Sequence, residues 1–233
     1  MEAIILAGGT GTRLRDVVSD VPKPMAPVRG RPFLEWQLLE LERQGFQRVV
    51  LSVGYLAEKI RRHFGLRHGA LEIDYAQEDQ PLGTGGAVRL ALRKVQSPCC
   101  VILNGDSFFD INLAVMEREH AAAAADVTLA LKPMKHCARY GTVKMKDGRV
   151  TAFAEKSDHG PEEGLINGGV YLLPVAIFDG LALPERFSLE RDFLTPFCAS
   201  LHFHGSICDG FFIDIGVPDD YLRAQSEPRF QKA

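Results

Sequence analysis

Apolar and polar positions along this chain follow a rhythm that changes once, near Asp126. Before that point, short apolar runs ending at Leu6 and over 48–53 and 99–103 read as buried strands, being β-branched or aliphatic without polar alternation. Between them lie helical stretches. Pro32 stands near a helix start, Leu34, Leu38 and Leu41 share one face at the helical period, and Gly45 is placed to end it. Residues 57–64, 84–92 and 114–125 are further helices, and 71–76 alternates as a half-exposed strand. Strand alternating with helix argues a parallel sheet covered by helices on both faces.

After Asp126 the strands crowd together. Residues 127–131, 141–145, 150–156 and 166–173 are strands, and Lys146-Asp147-Gly148 is a hairpin turn signal. A short helix over 188–195, late strands at 202–204 and 211–213, and a terminal helix opened by Pro218 complete the chain. There is no internal repeat and no composition shift that demands a linker, so the pattern predicts one domain over 1–233 with a more antiparallel second half.

Composition narrows the function classes. The 233 residues are 46% hydrophobic and 24% charged, ordinary for a globular protein with a sizeable core. Net charge is −3, so no global basic field attracts nucleic acid, and any phosphate site must be local. The N-terminus lacks a signal peptide's basic region, and no apolar run approaches the roughly 18 residues that cross a bilayer. Five cysteines without C-x-x-C spacing read as reduced thiols of a cytosolic protein.

The candidate chemistry sits at strand ends, where open α/β sheets bind ligands. After the first strand, Leu6-Ala7-Gly8-Gly9-Thr10-Gly11-Thr12-Arg13 offers backbone N–H groups and a cation to phosphate oxygens, with Lys23 close behind in sequence. It is not a Walker A loop, which would end Gly-Lys-Ser/Thr. Nor is it a dinucleotide fingerprint, because Leu14 stands where the third glycine belongs. Asp106 follows an apolar strand in Asn104-Gly105-Asp106, and Asp214 follows another. Each alone fits a turn residue as well as a ligand, but both contexts suit a divalent cation that neutralises a carboxylate at an apolar strand end. His202 and His204 have no third ligand and are read as structural.

The glycine stretch, Pro22-Lys23-Pro24, Pro81-Leu82-Gly83-Thr84-Gly85-Gly86, Asn104-Gly105-Asp106, Tyr140-Gly141-Thr142-Val143, Glu155-Lys156, Asn167-Gly168-Gly169-Val170-Tyr171 and the run from Phe211 to Tyr221 resemble the sugar-1-phosphate nucleotidyltransferase family. The blocks occur in the family's order and span residues 1 to about 225. Among its members, the chain most resembles those acting on D-glycero-D-manno-heptose 1-phosphate with GTP in bacterial capsule and heptose pathways.

The resemblance implies a Rossmann-like α/β fold: a mixed, mostly parallel sheet flanked by helices, with a nucleotide-binding half (1–125) and a sugar-binding half (126–225). It implies catalytic Arg13 and Lys23, and a nucleotide site of Leu6, Ala7, Gly8, Gly9, Gly11, Thr12, Gln77, Gly83 and Thr84. A sugar-phosphate site of Asn104, Gly141, Glu155, Lys156 and Asn167 follows, with Mg²⁺ on Asp106 and Asp214. Glu155 and Lys156 are strand neighbours that should point to opposite faces, so both reach one ligand only at a bulge or strand end. The implied partners are a nucleoside triphosphate and a sugar 1-phosphate, with no nucleic acid or membrane; assembly as a homodimer stays open. Two other readings remain: the same reaction with another nucleotide or hexose 1-phosphate, and a non-catalytic subunit that senses nucleotide-sugars.

Overall fold

The first apolar run becomes β1 (Glu2–Leu6), and its side chains show how the molecule is layered. In this computed structural model, which describes residues 1–9, 21–135, 137, 140–154 and 162–231, Ala3, Ile4 and Ile5 are all fully buried. Successive strand residues face opposite sides. Ala3 and Ile5 accordingly enter one core cluster while Ile4 enters another on the far side of the sheet.

The first half continues with β2 (Pro27–Val28), β3 (Arg31–Pro32), α1 (Phe33–Arg43), β4 (Arg48–Val53), α2 (Ala57–Phe64), β5 (Arg67–His68) and β6 (Leu71–Gln77). Then come α3 (Gly83–Leu92), β7 (Cys99–Asn104), β8 (Ser107–Phe109) and α4 (Leu113–Ala122). The second half adds β9 (Val127–Lys135), β10 (Thr142–Lys146), β11 (Arg149–Ala154), β12 (Glu163–Pro174), a π-helical turn Leu189–Leu194 leading into α5 (Thr195–Phe197), β13 (Phe203–Ile207), β14 (Phe212–Asp214) and α6 (Pro218–Ser226).

Ten of these strands form one sheet in the order β10-β11-β13-β9-β12-β7-β1-β4-β6-β5. The sheet is mixed, and its parallel share is smaller than the sequence rhythm suggests. Parallel pairing holds across β7-β1-β4-β6 and between β9 and β13, whereas β12 runs antiparallel to both β7 and β9. From β1 the chain proceeds outward through β4 to β6 and then returns to place β7 on the other side of β1. That reversal is a switch point, which leaves a crevice beyond the carboxyl ends of β1 and β7.

Helices α1, α2 and α4 cover one face through Leu34, Leu38, Leu41, Ile60, Phe64 and Met116. Fully burying a side chain such as Leu38 contributes about 1.5–3 kcal/mol. The other face is covered by α3 and by Phe187, Leu189, Phe193 and Leu194. Helix α4 starts at Asn112, whose side chain accepts a hydrogen bond from Val115 N–H at 3.1 Å. It ends at Ala122, short of the expected 125, because Ala124 turns left-handed at φ 46°. The expected hairpin after β10 is present, with Asp147 and Gly148 both at positive φ, as that tight turn requires.

The last cluster matters most for the site. Phe230, Tyr221 and Ala224 pack against Phe33, Trp36, Phe108, Ile213 and Ile215, and the Tyr221 hydroxyl donates to Pro27 O at 2.7 Å. This fastens the small β14–β8 sheet to α1.

Candidate functional site

A cleft of about 800 Å³ opens where β1, β4, β6 and β7 end. That size is typical of a small-molecule site. Its floor is backbone. Gly8 and Gly9 leave β1, and Gly8 O accepts from Tyr55 N–H at 3.4 Å. A Cβ at Gly8 would stand 2.9 Å from Glu78 Oε1 and 3.2 Å from Gly54 N, so only glycine lets these loops close together. Gly105 donates its N–H to Leu6 O at 3.0 Å, and any side chain there would collide with that carbonyl. The Asn104-Gly105-Asp106 turn is thereby fixed against the end of β1.

Lys23 enters from the side. It begins a 3₁₀ turn, Lys23–Met25, bounded by Pro22 and Pro24, whose rings pre-set the backbone. Pro24 and Met25 are buried. The ammonium consequently has a fixed root, and it donates to Asp106 Oδ2 at 2.6 Å.

Asp214 arrives from more than a hundred residues away by strand pairing. In the β14–β8 sheet it lies opposite Ser107, and Ile215 N–H donates to Asp106 O at 2.9 Å. Its Oδ1 accepts from Gly216 N–H at 2.6 Å. Burial, and next the Asp106 carboxylate, push the Asp214 carboxyl above the ordinary aspartate range. Lys23 and the Gly216 N–H pull the other way without cancelling this. Two carboxylates placed this close are a hard-oxygen donor set for a divalent cation. They suit Mg²⁺, which takes one or two carboxylates and fills its sphere with water and phosphate oxygens. Among the described residues no group of three or more His, Cys, Asp or Glu converges, so an ion here would rely on such outside ligands.

The opposite wall is the β6–α3 loop. Glu78 Oε2 accepts from Leu82 N–H at 2.7 Å, and burial raises this carboxyl against the pull of that N–H. Gly83 sits at φ 72° with Phe187 O only 2.6 Å from where a Cβ would be. Thr84 Oγ1 accepts from Leu189 N–H at 2.9 Å, which ties the start of α3 to the π-helical turn.

A polar chain leads from the cleft towards β12. Its register shifts between Asn167 and Tyr171, and Gly169 takes φ 72°. At this bulge Asn167 Oδ1 accepts from Gly169 N–H at 3.0 Å while its Nδ2 donates to the Tyr171 hydroxyl at 2.9 Å. The hydroxyl in turn donates to Glu190 Oε1 at 3.4 Å, and Glu190 lines the cleft. Burial, then the Glu190 charge, keeps Tyr171 protonated, its pKa well above that of a free tyrosine. Thr142 pairs with Ile166, so Gly141 and Asn167 lie one residue beyond paired positions.

Set against the sequence, Leu6, Gly8, Gly9, Lys23, Gly83, Thr84, Asn104 and Asp106 line the cleft. Asp214 stands beside Gly216 at its edge, and Ala7 is buried beneath. Gln77 departs from expectation. As the last residue of β6 it shares the face of Leu71, Ile73 and Tyr75 but lies past the end of the core they enter and is exposed, while the following Glu78 lines the cleft. Gly141 and Asn167 lie outside the cleft lining, with Asn167 joined to it through Tyr171 and Glu190. Gly11, Thr12, Arg13, Glu155 and Lys156 lie outside the described residues, and with them the question of how the last two share a ligand. Sequence reasoning missed Ser52, Gly54 and Tyr55, although the end of β4 is a parallel strand end like the other three. It also missed Glu78, Glu190 and Gly216.

Known proteins resemble this chain in sequence and fold. The chain is 52% identical to the D-glycero-alpha-D-manno-heptose 1-phosphate guanylyltransferase of Aneurinibacillus thermoaerophilus over 227 residues, 97% of this chain and 98% of that one. It is 45% identical to the enzyme of the same name from Campylobacter jejuni subsp. jejuni serotype O:2 over 222 residues, 95% and 97% of the two chains. The crystal structure of HddC from Yersinia pseudotuberculosis complexed with GMP-PN superposes with a TM-score of 0.87 at 33% identity, covering 97% of this chain and 98% of that one. The model of the nucleotidyl transferase family matches residues 2–229, and the chain belongs to that family.

Proposed function

We propose that this protein transfers a guanylyl group from GTP to D-glycero-α-D-manno-heptose 1-phosphate, giving the GDP-sugar and pyrophosphate. The observation that carries the reading is the meeting of Lys23, Asp106 and Asp214 at one lip of a switch-point cleft whose other lip is glycine backbone. The near-full-length likeness to two heptose 1-phosphate guanylyltransferases supports the choice of base and sugar.

A sugar phosphate oxygen is anionic at neutral pH, so attack on the α-phosphorus needs no general base. The new bond joins that oxygen to the α-phosphorus. The bond from the α-phosphorus to the bridging oxygen breaks, and its electron pair leaves with pyrophosphate. What the protein supplies is in-line alignment and charge neutralisation. The N–H groups of the Gly8–Thr12 stretch and Arg13 would cradle the triphosphate, and Lys23 would bridge the phosphates of the donor and the leaving pyrophosphate. Gly83 and Thr84 would admit the base and ribose, with Glu78 in the place first given to Gln77. Asn104, Gly141, Glu155, Lys156 and Asn167 would receive the sugar phosphate. Asp106 and Asp214 would hold Mg²⁺, which when bound would supply Lewis-acid neutralisation of the charge that develops on the phosphates.

Lys23 and both carboxylates stand together, which favours a catalyst over a nucleotide-sugar sensor. Among the described residues no helix is long and apolar enough to cross a membrane, and the cysteines are thiols not joined in disulfides. The proposed place of the enzyme is the cytoplasm, supplying capsule or surface polysaccharide synthesis. The test is pyrophosphate release across a panel of triphosphates and sugar 1-phosphates. GTP with the manno-heptose phosphate should give the highest kcat/KM. Mannose 1-phosphate, one carbon shorter, should lag by about 10–200-fold. A clear preference for ATP, CTP, UTP or dTTP would overturn the guanylyl reading.

A further inference from the structure

Gln37 lies on α1, away from the cleft lining, and is 2% exposed. Its single Nε2 donates twice, to Asn104 O at 2.8 Å and to Ser107 O at 2.7 Å. These two carbonyls flank Gly105 and Asp106, one at the end of β7 and the other at the start of β8. The amide therefore spans the turn and ties both of its ends to a helix. Its Oε1 is buried with no hydrogen-bond partner among the described residues. A buried polar atom left alone keeps its full desolvation penalty. If the position served only to fill volume, Leu or Met would do so without that penalty. The amide is explained by what its nitrogen does.

We infer that Gln37 is a positioning residue that sets Asp106 against Asp214 and Lys23 by clamping the turn from behind. Three other anchors hold this backbone: Gly105 N–H to Leu6 O, Ile215 N–H to Asp106 O, and the pairing of Ser107 with Asp214. Gln37 is the side chain that grips both ends at once. Its rigidity follows from its neighbours, since Leu34, Leu38 and Leu41 lock α1 into the core and Trp36 Nε1–H donates to Val28 O at 3.1 Å. The inference rests on the proposed metal role of Asp106.

The test uses Mn²⁺ as a probe of the ion site, with binding read by electron paramagnetic resonance of the free ion in the presence of GTP. Three full-length proteins are compared: wild type, Gln37→Met and Asp106→Asn. Gln37→Met keeps the volume and removes both donors. It should weaken Mn²⁺ by about 10–100-fold, as loss of an outer-shell partner does. Its kcat should fall with KM for GTP little changed. Asp106→Asn should weaken Mn²⁺ at least as much. If Asp106→Asn binds Mn²⁺ like wild type, the reading of the metal site itself is wrong. If Asp106→Asn loses the ion and Gln37→Met keeps it at wild-type affinity, the positioning role fails. A lowered melting temperature with unchanged Mn²⁺ affinity also overturns it, since that is a purely structural effect. Should Gln37→Met not fold, Gln37→Glu keeps size and polarity but faces both carbonyls with an acceptor. It should then weaken Mn²⁺ by a similar factor, and wild-type affinity in that variant overturns the inference.

Discussion

Replacing Gly216 by Ala should separate catalysis from stability. A Cβ at this position would stand 2.6 Å from Asp214 Oδ1 and 2.7 Å from Lys23 Nζ. Ordinary contact begins near 3.4 Å, so the oxygen and the ammonium must retreat by about 0.8 and 0.7 Å. Both atoms end flexible side chains, and the retreat costs the fold little. Gly216 is not among the positive-φ glycines, so alanine adopts its backbone without strain. Loss of glycine's freedom in the unfolded chain offers about 0.4–1 kcal/mol in return. The melting temperature should therefore hold or rise slightly. Turnover should not hold, because a displacement near 1 Å in a reacting geometry can cost about 10²-fold. Pyrophosphate release under saturating GTP and sugar phosphate measures kcat, and a thermal melt measures the rest. A Gly216→Ala enzyme within twofold of wild-type kcat would refute the reasoning, since two of its central charged groups would then tolerate the displacement. A collapse in melting temperature would refute it differently, by showing that the glycine serves the fold.

Four further outcomes follow from the same geometry. Asp214→Asn should lower kcat by about 10²–10³, as removal of a preorganised charge does, with no loss of thermal stability. Its proton is held more tightly in the folded than in the unfolded chain, so this group's contribution to stability falls as pH rises from the ordinary aspartate range through its raised value. An ion must displace that proton, so Mn²⁺ binding should weaken as pH drops through the same window; a flat wild-type profile across it would contradict the assignment. Gly83→Ala forces φ 72° on alanine and drives its Cβ towards Phe187 O, so KM for GTP should rise several-fold and the melting temperature should fall. Tyr171→Phe removes the hydroxyl between Asn167 and Glu190, and should raise KM for the sugar phosphate while sparing KM for GTP; equal changes in both would argue against the relay.

The parallel core was legible because burial on two faces leaves a plain signature. Residues 49–51 and 99–103 are apolar throughout, as strands covered on both faces are. What composition could not show was the pairing. Long β12 accepts β7, β9 and β10 as neighbours by turning its register at Asn167-Gly168-Gly169, a bulge whose cause is local backbone and not hydrophobic period. The β14–β8 pairing was also hidden. The strand over 211–213 was legible, but the three residues of Ser107–Phe109 carry too little pattern to reveal its partner.

That small sheet decides how the carboxylates should be understood. In sequence, Asp106 and Asp214 shared only a context, an Asp ending an apolar strand before a glycine or serine turn. The contexts match because the two positions solve one packing problem from opposite sides. Phe108 and Ile213 bury their side chains in the cluster sealed by Phe230, and this leaves Asp214 beside Ser107 at the open end of the pair. Hydrophobic closure on one side thus sets the charge pairing on the other, against the burial and the Asp106 charge that raise the Asp214 proton affinity. Gln37 belongs to the same arrangement and shows in the pattern only as a break, because a polar residue on the buried face of a helix interrupts the periodicity that reveals helices. The deviation itself was the signal. A single amide amid Leu34, Leu38 and Leu41 is costly enough to ask what it holds, and its two short hydrogen bonds to the Asp106 turn are the answer.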